Sequence, residues 1–133
     1  DKRFTHLGII HRKDEDVMVI NAEALIWDGN DYVNEFAPRK FIAPARTVGL
    51  YRLDNAEGEA IAEEALKMIG KPFDWDFDMN NADKLYCTEL FVVLKEIAPE
   101  IELKPAHTFR RDVVPLEVVS NSIQFREVLF FVE

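Results

Sequence analysis

The chain has 133 residues, 48% of them hydrophobic, and a formal charge of −9. This size and composition predict one folded domain over residues 1–133 and exclude a disordered or fibrous chain. The acidic balance disfavours binding to nucleic acid or to anionic membranes, because both need clustered Lys and Arg. No apolar run is long enough to span a membrane. The single cysteine excludes an internal disulfide and a Cys-rich zinc site.

The N-terminal part of the chain predicts a β-hairpin. Two short, apolar, β-branched segments, residues 4–11 and 17–24, have the composition of strands, and a charged run separates them. The simplest connection is a four-residue turn over residues 13–16. We expect this turn to fix which residues of the two strands lie opposite each other.

The predicted turn places His6 opposite Glu23, and Ile9 opposite Ile20. Directly opposed residues share a face of the sheet, with Cβ atoms roughly 4.5–5.5 Å apart. Glu23 would then hold the His6 imidazole in one orientation and one tautomer, as the third member of a catalytic triad does. A surface His–Glu pair of modest worth is an equally good interpretation of this geometry.

Short strands and one helix are predicted in the middle of the chain. Residues 32–36 fit a short strand or a helical turn, and residues 47–53 alternate as a strand does. The proline-bounded stretch 37–44 is not assigned. A helix with an apolar face is capped near Asp54 and ended by Gly70, and we expect its acidic face to be solvated.

Residues 73–78 alternate between aromatic and acidic side chains. The three aspartates match the first ligand positions of a calcium loop, but Met79 stands where that loop needs a glycine, so calcium is disfavoured. The alternation instead predicts an extended segment with Phe73, Trp75 and Phe77 packed inward. This segment would form one wall of a cleft beside the cysteine.

The cysteine lies at the predicted start of a helix. From Tyr86 onward, apolar residues recur at helical spacing, and the polar run 80–83 before them is rich in capping residues. Cys87 therefore falls in the first turn, where free amides and the helix dipole favour a thiolate. A lone cysteine is nevertheless more often an inert buried side chain, so a nucleophilic role depends on a partner base.

The C-terminal third contains a rival base and a last strand. His107 lies in a predicted polar loop without an orienting partner, which favours a solvated histidine. Residues 113–119 are predicted to turn into a short helix. Residues 123–132 are predicted to form a strand in the interior of a sheet, because its second half is continuously apolar.

Five parts of the chain follow one another in a recognisable order: residues 5–9, 22–24, 70–74, 86–90 and Pro115. Together they resemble the permuted papain-like amidases. This is the bacterial YiiX/YaeF-like group of the NlpC-type cysteine peptidase superfamily, of which lecithin retinol acyltransferase is a distant relative. The order histidine, glutamate, cysteine is that of the permuted group.

The resemblance implies a fold and a set of catalytic residues. The fold is α+β and papain-like, with a circularly permuted NlpC-type topology. In it, an antiparallel sheet or partial barrel packs against helices that include the one bearing the cysteine. Cys87 is implied as the nucleophile, His6 as the general base and Glu23 as its orienting residue, with no metal and no organic cofactor. Members of the family have a further strand before the histidine, so we expect this chain to lack a short N-terminal segment.

The expected function is a thiol hydrolase that cleaves amide bonds through an acyl-enzyme, with a peptidoglycan-type peptide or a related acyl or amide compound as substrate. Tyr86, Phe73, Asp74 and Trp75 are expected to contact the substrate. One alternative is an acyltransferase or thioesterase-like enzyme of the same superfamily, and another is a non-catalytic binding domain. The sequence leaves the oligomeric state open, and it leaves open whether the protein works in the cytoplasm or the cell envelope.

Overall fold

The computed structural model describes residues 5–24, 31–53, 58–91, 97, 106–108, 111–113 and 125–132. Antiparallel strands and short helices alternate within these ranges. The strands are β1 (Ile9–Lys13), β2 (Asp16–Ala22), β3 (Val33–Phe36), β4 (Thr47–Leu53), β5 (Ala106–Thr108), β6 (Arg111–Val113) and β7 (Phe125–Val132). The helices are α1 (Pro38–Ile42), α2 (Gly58–Leu66) and the 3-10 helix Cys87–Phe91.

The predicted hairpin and its register are confirmed over Ile9–Lys13. The ladder begins only at Ile9, so the predicted cross-strand pairing of His6 with Glu23 lies outside it. β1 and β2 pair antiparallel with Lys13 opposite Asp16 and Ile9 opposite Ile20, which is the register that the four-residue turn required. Asp14, in the turn, has a φ of 54°, a conformation that Asp tolerates better than most residues do. β3 pairs with the other edge of β2, so β2 is the central strand of a three-stranded sheet.

The central strand is buried on both faces. One face contributes Ile20 and Ala22 to the main hydrophobic core, and the other packs against α1. The 3-10 helix also packs against β2, so the core joins the hairpin to the segment that bears the cysteine. The buried members of this core are Ile9, Ile20, Ala22, Val33, Ala65, Phe73, Leu85, Tyr86, Leu90 and Phe91.

The two α-helices follow from local signals. α2 buries Ala65, packs against β1 and ends at Leu66, before the predicted stop at Gly70. Turns follow as far as Gly70, whose φ of 92° favours glycine. The predicted cap near Asp54 lies outside the described residues. α1 occupies the stretch that the sequence left unassigned, with Pro38 in its first turn, where the missing N–H costs nothing.

The C-terminal strands differ from the prediction. β7 pairs with β4, but Val128, Leu129, Phe131 and Val132 are 46–60% exposed, so the predicted interior position is wrong for these side chains. A continuous apolar run does not by itself distinguish a buried strand from an exposed one. His107 lies in β5, opposite Asp112 of β6, and not in a loop.

Other predictions for this part of the chain fall on residues outside the described ranges. The short helix expected over residues 113–119 lies outside the described residues beyond position 113. The same holds for residues 92–96 of the helix predicted to follow the cysteine. Within the described ranges, no helix combines the length and hydrophobicity needed to cross a membrane.

Gly8 is required by the close packing of the hairpin. A Cβ at this position would lie 2.5 Å from Val19 Cγ1 and 2.9 Å from the Ile20 carbonyl oxygen. We therefore expect Gly8→Ala to lower the free energy of unfolding by about 1–3 kcal/mol, the usual cost of overpacking, in a urea titration. The matched control is Gly58→Ala, because no atom lies within 4 Å of the added Cβ. A Gly8→Ala protein as stable as Gly58→Ala would contradict this account.

Candidate active site

Cys87 is the first residue of its helix, as predicted, but the cap differs from the prediction. The Glu89 carboxylate accepts a hydrogen bond from the Tyr86 N–H at 2.9 Å, and the Glu89 N–H donates to the Tyr86 carbonyl at 3.0 Å. This is the glutamate arm of a capping box, which fixes the peptide that leads into the cysteine. The polar run 80–83 forms turns of its own and does not provide this cap.

The Cys87 thiol is neutral at rest. Burial raises its pKa to about 11, and the Glu23 carboxylate adds to the rise, whereas backbone hydrogen bonds from Thr88, Leu7 and Cys87 itself lower the pKa in part. The amides at the helix start therefore lower the pKa of the thiol as predicted, but burial outweighs them, so the net effect disfavours a thiolate. A five-residue 3-10 helix has a small dipole, and the cost of desolvating a charge exceeds it.

The same backbone contacts show where the thiol lies. The Leu7 amide that interacts with Cys87 belongs to the residue next to His6. The Glu23 charge acts on the thiol as well, so the carboxylate lies in the same region. Cys87 therefore lies near the residue that follows His6 in the sequence, and near Glu23, whose carboxylate is 3.8 Å from His6.

The His6 ring is held mainly by an amide. Its Nε2 lies 3.1 Å from Asn21 Oδ1 and 3.8 Å from Glu23 Oε2, so only the first is at hydrogen-bonding distance. Asn21 Nδ2 in turn donates to Asn34 Oδ1 at 3.2 Å. The ring also packs against Phe41 of α1, with 5.4 Å between centroids. Because both oxygens approach Nε2, Nδ1 is the nitrogen left to face another partner.

Asn21 and Glu89 were not identified as site residues from the sequence, although the sequence contains an indication of each. Asn21 interrupts the apolar run of β2 and precedes Glu23 by two residues, which puts both on one face of the strand. A buried amide in such a run needs hydrogen-bond partners, so it marks a polar site. Glu89 stands three residues after Tyr86, the spacing of a capping-box glutamate.

The segment 73–78 turns where an extended strand was predicted. Asp74 is fully buried, and its carboxylate accepts the N–H of Asp76 at 3.0 Å and the N–H of Asp78 at 2.6 Å. Aspartate side chains commonly bond to the backbone two residues on, which folds the chain locally. Phe77 adopts a φ of 52°, a conformation that bulky residues rarely take.

The turn exposes two aromatic rings. Phe73 is buried as predicted, but Trp75 and Phe77 are 48% and 41% exposed, so their predicted inward packing is wrong. Their rings lie 5.0 Å from Phe73 and 5.3 Å from Tyr86, respectively, between centroids. Of the four predicted substrate contacts, Phe73, Asp74 and Tyr86 are buried and Trp75 is open to a ligand.

Comparisons with known proteins agree with the fold. Over residues 1–127 the chain matches the family model of the permuted papain-like amidase enzymes of the YaeF/YiiX group. Its structure is similar to the crystal structure of the metalloprotein YiiX from Escherichia coli O157:H7, with a TM-score of 0.77 and 17% sequence identity over 95% of this chain and 82% of that one. No curated protein matches the sequence. The predicted papain-like α+β class is confirmed.

The described part of this chain does not fit a metal centre. YiiX is named a metalloprotein. Among the side chains described here, no group of three or more His, Cys, Asp or Glu residues is arranged to hold a metal ion. His6 and Glu23 approach each other, but the third polar group beside them is the amide of Asn21.

Glu89 makes the stability of the site depend on pH. Burial and, to a smaller extent, the charges of Asp74 and Asp78 raise the pKa of this carboxyl from 4.5 to about 7, against the hydrogen bond from Tyr86 that lowers it. Between these two pKa values the folded protein keeps a proton that the unfolded chain loses. The free energy of unfolding should therefore fall as the pH rises through this interval and level off above it.

The variant Glu89→Gln should remove this change of the free energy of unfolding with pH. Its amide oxygen still accepts the Tyr86 N–H, but the side chain does not titrate. Urea titrations at a series of pH values measure the effect. Glu63→Gln, on the exposed side of α2, is the matched control and should keep the wild-type slope. A wild-type slope in Glu89→Gln would show that this carboxyl does not titrate as described.

Proposed function

The chain belongs to the permuted papain-like amidase family, and on that premise we propose that it is a cysteine hydrolase that cleaves amide bonds through an acyl-enzyme intermediate. The observation that supports the proposal is the approach of the Cys87 thiol to the amide of Leu7, the residue that follows His6, and to the Glu23 carboxylate. A thiol, an imidazole and a carboxylate in one region form the set of groups that acyl transfer by a thiol requires.

The first half of the reaction forms a thioester. His6 Nδ1 accepts the proton from the Cys87 sulfur as the sulfur attacks the carbonyl carbon of the substrate, and the carbonyl electron pair moves to oxygen. The tetrahedral intermediate then collapses, the C–N bond breaks, and the imidazolium gives its proton to the leaving amine. The choice of Nδ1 follows from the two oxygens that face Nε2.

The second half returns the free thiol. A water molecule gives a proton to His6 while its oxygen attacks the thioester carbon. Collapse of this intermediate breaks the C–S bond, releases the carboxylic acid and returns the proton to sulfur. This sequence consumes one water for each amide bond, and its atoms balance without a further reactant.

Backbone amides supply the electrostatic stabilisation. The N–H groups of Cys87, Thr88 and Leu7 already interact with the sulfur and lower its pKa against the effect of burial. Donors that are fixed before the reaction stabilise developing negative charge without reorganising. The resting thiol is neutral, so the proton transfer to His6 accompanies the attack on the substrate.

Glu23 has a supporting role in this scheme. Its carboxylate lies 3.8 Å from His6 Nε2, where a negative charge stabilises the imidazolium that forms during the reaction. The same charge raises the pKa of the Cys87 thiol, so it opposes a preformed thiolate. Glu23 therefore favours proton transfer from the sulfur to the histidine only when the sulfur attacks the substrate carbonyl.

The substrate that we propose is a peptidoglycan-type peptide or a related amide. A second candidate function is that of an acyltransferase, which the exposed rings of Trp75 and Phe77 also favour. The Phe77 ring adjoins Tyr86, just before the nucleophile. An acyltransferase would form the same thioester and pass the acyl group to another acceptor in place of water. The raised pKa of Cys87 is what favours the third candidate, a non-catalytic binding domain.

The thiol–imidazole pair is tested by alkylation. We expect His6→Gln to slow the reaction of Cys87 with iodoacetamide at neutral pH by roughly a hundredfold, the scale of general-base assistance. Mass spectrometry follows the labelled fraction, and Cys87→Ser gives the blank. His11→Gln, which replaces the other histidine of the N-terminal region, a buried one in β1, is the matched control. Equal rates in His6→Gln and wild type would exclude the hydrolase and leave the binding domain.

The acceptor is tested with two labelled substrates. We expect the wild-type protein, but not Cys87→Ser, to release amine and acid from a labelled cell-wall peptide, since water takes the acyl group. Chromatography with mass detection measures the products. An acyl-phospholipid in the parallel assay tests the transferase. If the acyl group of the phospholipid is transferred to an added amine and the peptide stays intact, the protein is an acyltransferase and not a hydrolase.

A further inference from the structure

We propose that Asn21, backed by Asn34, is the positioning residue that holds His6 in its Nε2–H tautomer. The proposal rests on the hydrolase proposed above and adds to it a residue pair to which no role has been given. It separates two tasks at the imidazole: the amide fixes the ring, and the Glu23 carboxylate supplies charge.

The distances assign the first task to the amide. Asn21 Oδ1 lies 3.1 Å from His6 Nε2, within the range of an N–H···O hydrogen bond, whereas Glu23 Oε2 lies at 3.8 Å. An ion pair at the longer distance attracts without constraining direction, and the His6 and Glu23 side chains are 32% and 20% exposed. The directional contact is therefore the one to Asn21.

Burial shows that the amide has a defined place. Asn21 is 0% exposed, and a buried amide is costly unless its polar atoms are paired. Both ends are used, because Oδ1 faces His6 and Nδ2 donates to Asn34 Oδ1 at 3.2 Å. If the Asn21 amide were turned over, its Nδ2 would face the imidazole and its oxygen would face the oxygen of Asn34. In this arrangement the Asn34 oxygen pairs with the Asn21 Nδ2–H, and the Asn21 oxygen pairs with an Nε2–H tautomer of His6.

The backbone makes this arrangement rigid. Asn21 and Asn34 lie directly opposite each other in the β2–β3 pairing, so both residues belong to the central sheet. Sites built on strands keep their geometry better than sites built on loops. Phe41 of α1 packs against the ring of His6 from the helix, and its side chain also approaches Gly8.

The chemistry explains why an amide suits this position. A carboxylate in hydrogen-bonding contact would place a further negative charge near a thiol that must lose its proton, and Glu23 already raises the pKa of Cys87. A neutral carbonyl oxygen orders the imidazole without that effect. With Nε2–H donated to Asn21, the lone pair of Nδ1 is free to accept the proton from the sulfur.

The tautomer of His6 can be read directly from the nitrogen-15 chemical shifts of its ring, above the pH at which the ring is protonated. We expect one Nε2–H form in the wild type. The variant Asn21→Leu should give a mixture of tautomers, and alkylation of Cys87 should slow by at least about tenfold, because a small misplacement of the base is costly. His6→Gln assigns the resonances, since the chain has three histidines.

Two variants at the neighbouring position keep the test decisive if Asn21→Leu does not fold. Asn34→Leu removes the acceptor and should release the amide, with the same mixture of tautomers. Asn34→Asp keeps an oxygen for Asn21 Nδ2 and should preserve the Nε2–H form. His11 is an internal control, because its Nε2 lies 2.8 Å from Glu35 on the other face of the hairpin and its resonances should not move.

Glu23→Gln separates this proposal from its rival. We expect it to keep the Nε2–H form, because the amide contact remains. If Glu23→Gln loses that form while Asn21→Leu and Asn34→Leu keep it, the carboxylate positions the ring and the proposal is wrong. These spectra are recorded without substrate. They can therefore contradict the role of Asn21 even when alkylation supports the Cys87–His6 pair. They can equally support the role of Asn21 when alkylation contradicts that pair.

Discussion

The contact between the Leu7 amide and the Cys87 thiol is the interaction on which the rest of the candidate site depends. It exists because β2 is buried on both faces, with the 3-10 helix on one side and α1 on the other. The hairpin brings His6 to this point, and the core fixes the start of the helix against it. The site is therefore a product of tertiary packing, since no local stretch of sequence contains both the thiol and the imidazole.

The same packing sets the chemistry of the thiol. Burial disfavours a charged sulfur, so Cys87 rests as a neutral thiol with a raised pKa, and its reactivity depends on a base. The base has to be ordered beforehand, which is the task that the amide of Asn21 performs at one face of β2. Glu89 performs a related task next to the nucleophile, where its buried carboxyl accepts the N–H of Tyr86 and fixes the peptide before that residue.

The features that the sequence predicted correctly are those set by short-range rules. Strand pattern and turn length determined the hairpin register, whereas the approach of His6 to Glu23 lies beyond the paired residues. The family resemblance supplied the fold. Predictions were wrong where a buried side chain overrides the local pattern: the Asp74 carboxylate folds the aromatic segment into a turn, and desolvation outweighs the helix dipole at the thiol. Asn21 was missed because its partners come from β3 and from the segment that precedes β1.

The central claim is that Cys87 is a neutral thiol whose reactivity comes from His6. The ultraviolet absorbance of the thiolate, measured against pH with Cys87→Ser as the blank, tests this claim most directly. The account predicts a single ionisation of the thiol at a pKa of about 11 and no thiolate at neutral pH. A thiolate already present at neutral pH in the resting protein would contradict it, because the sulfur and imidazole would then form an ion pair before any substrate binds.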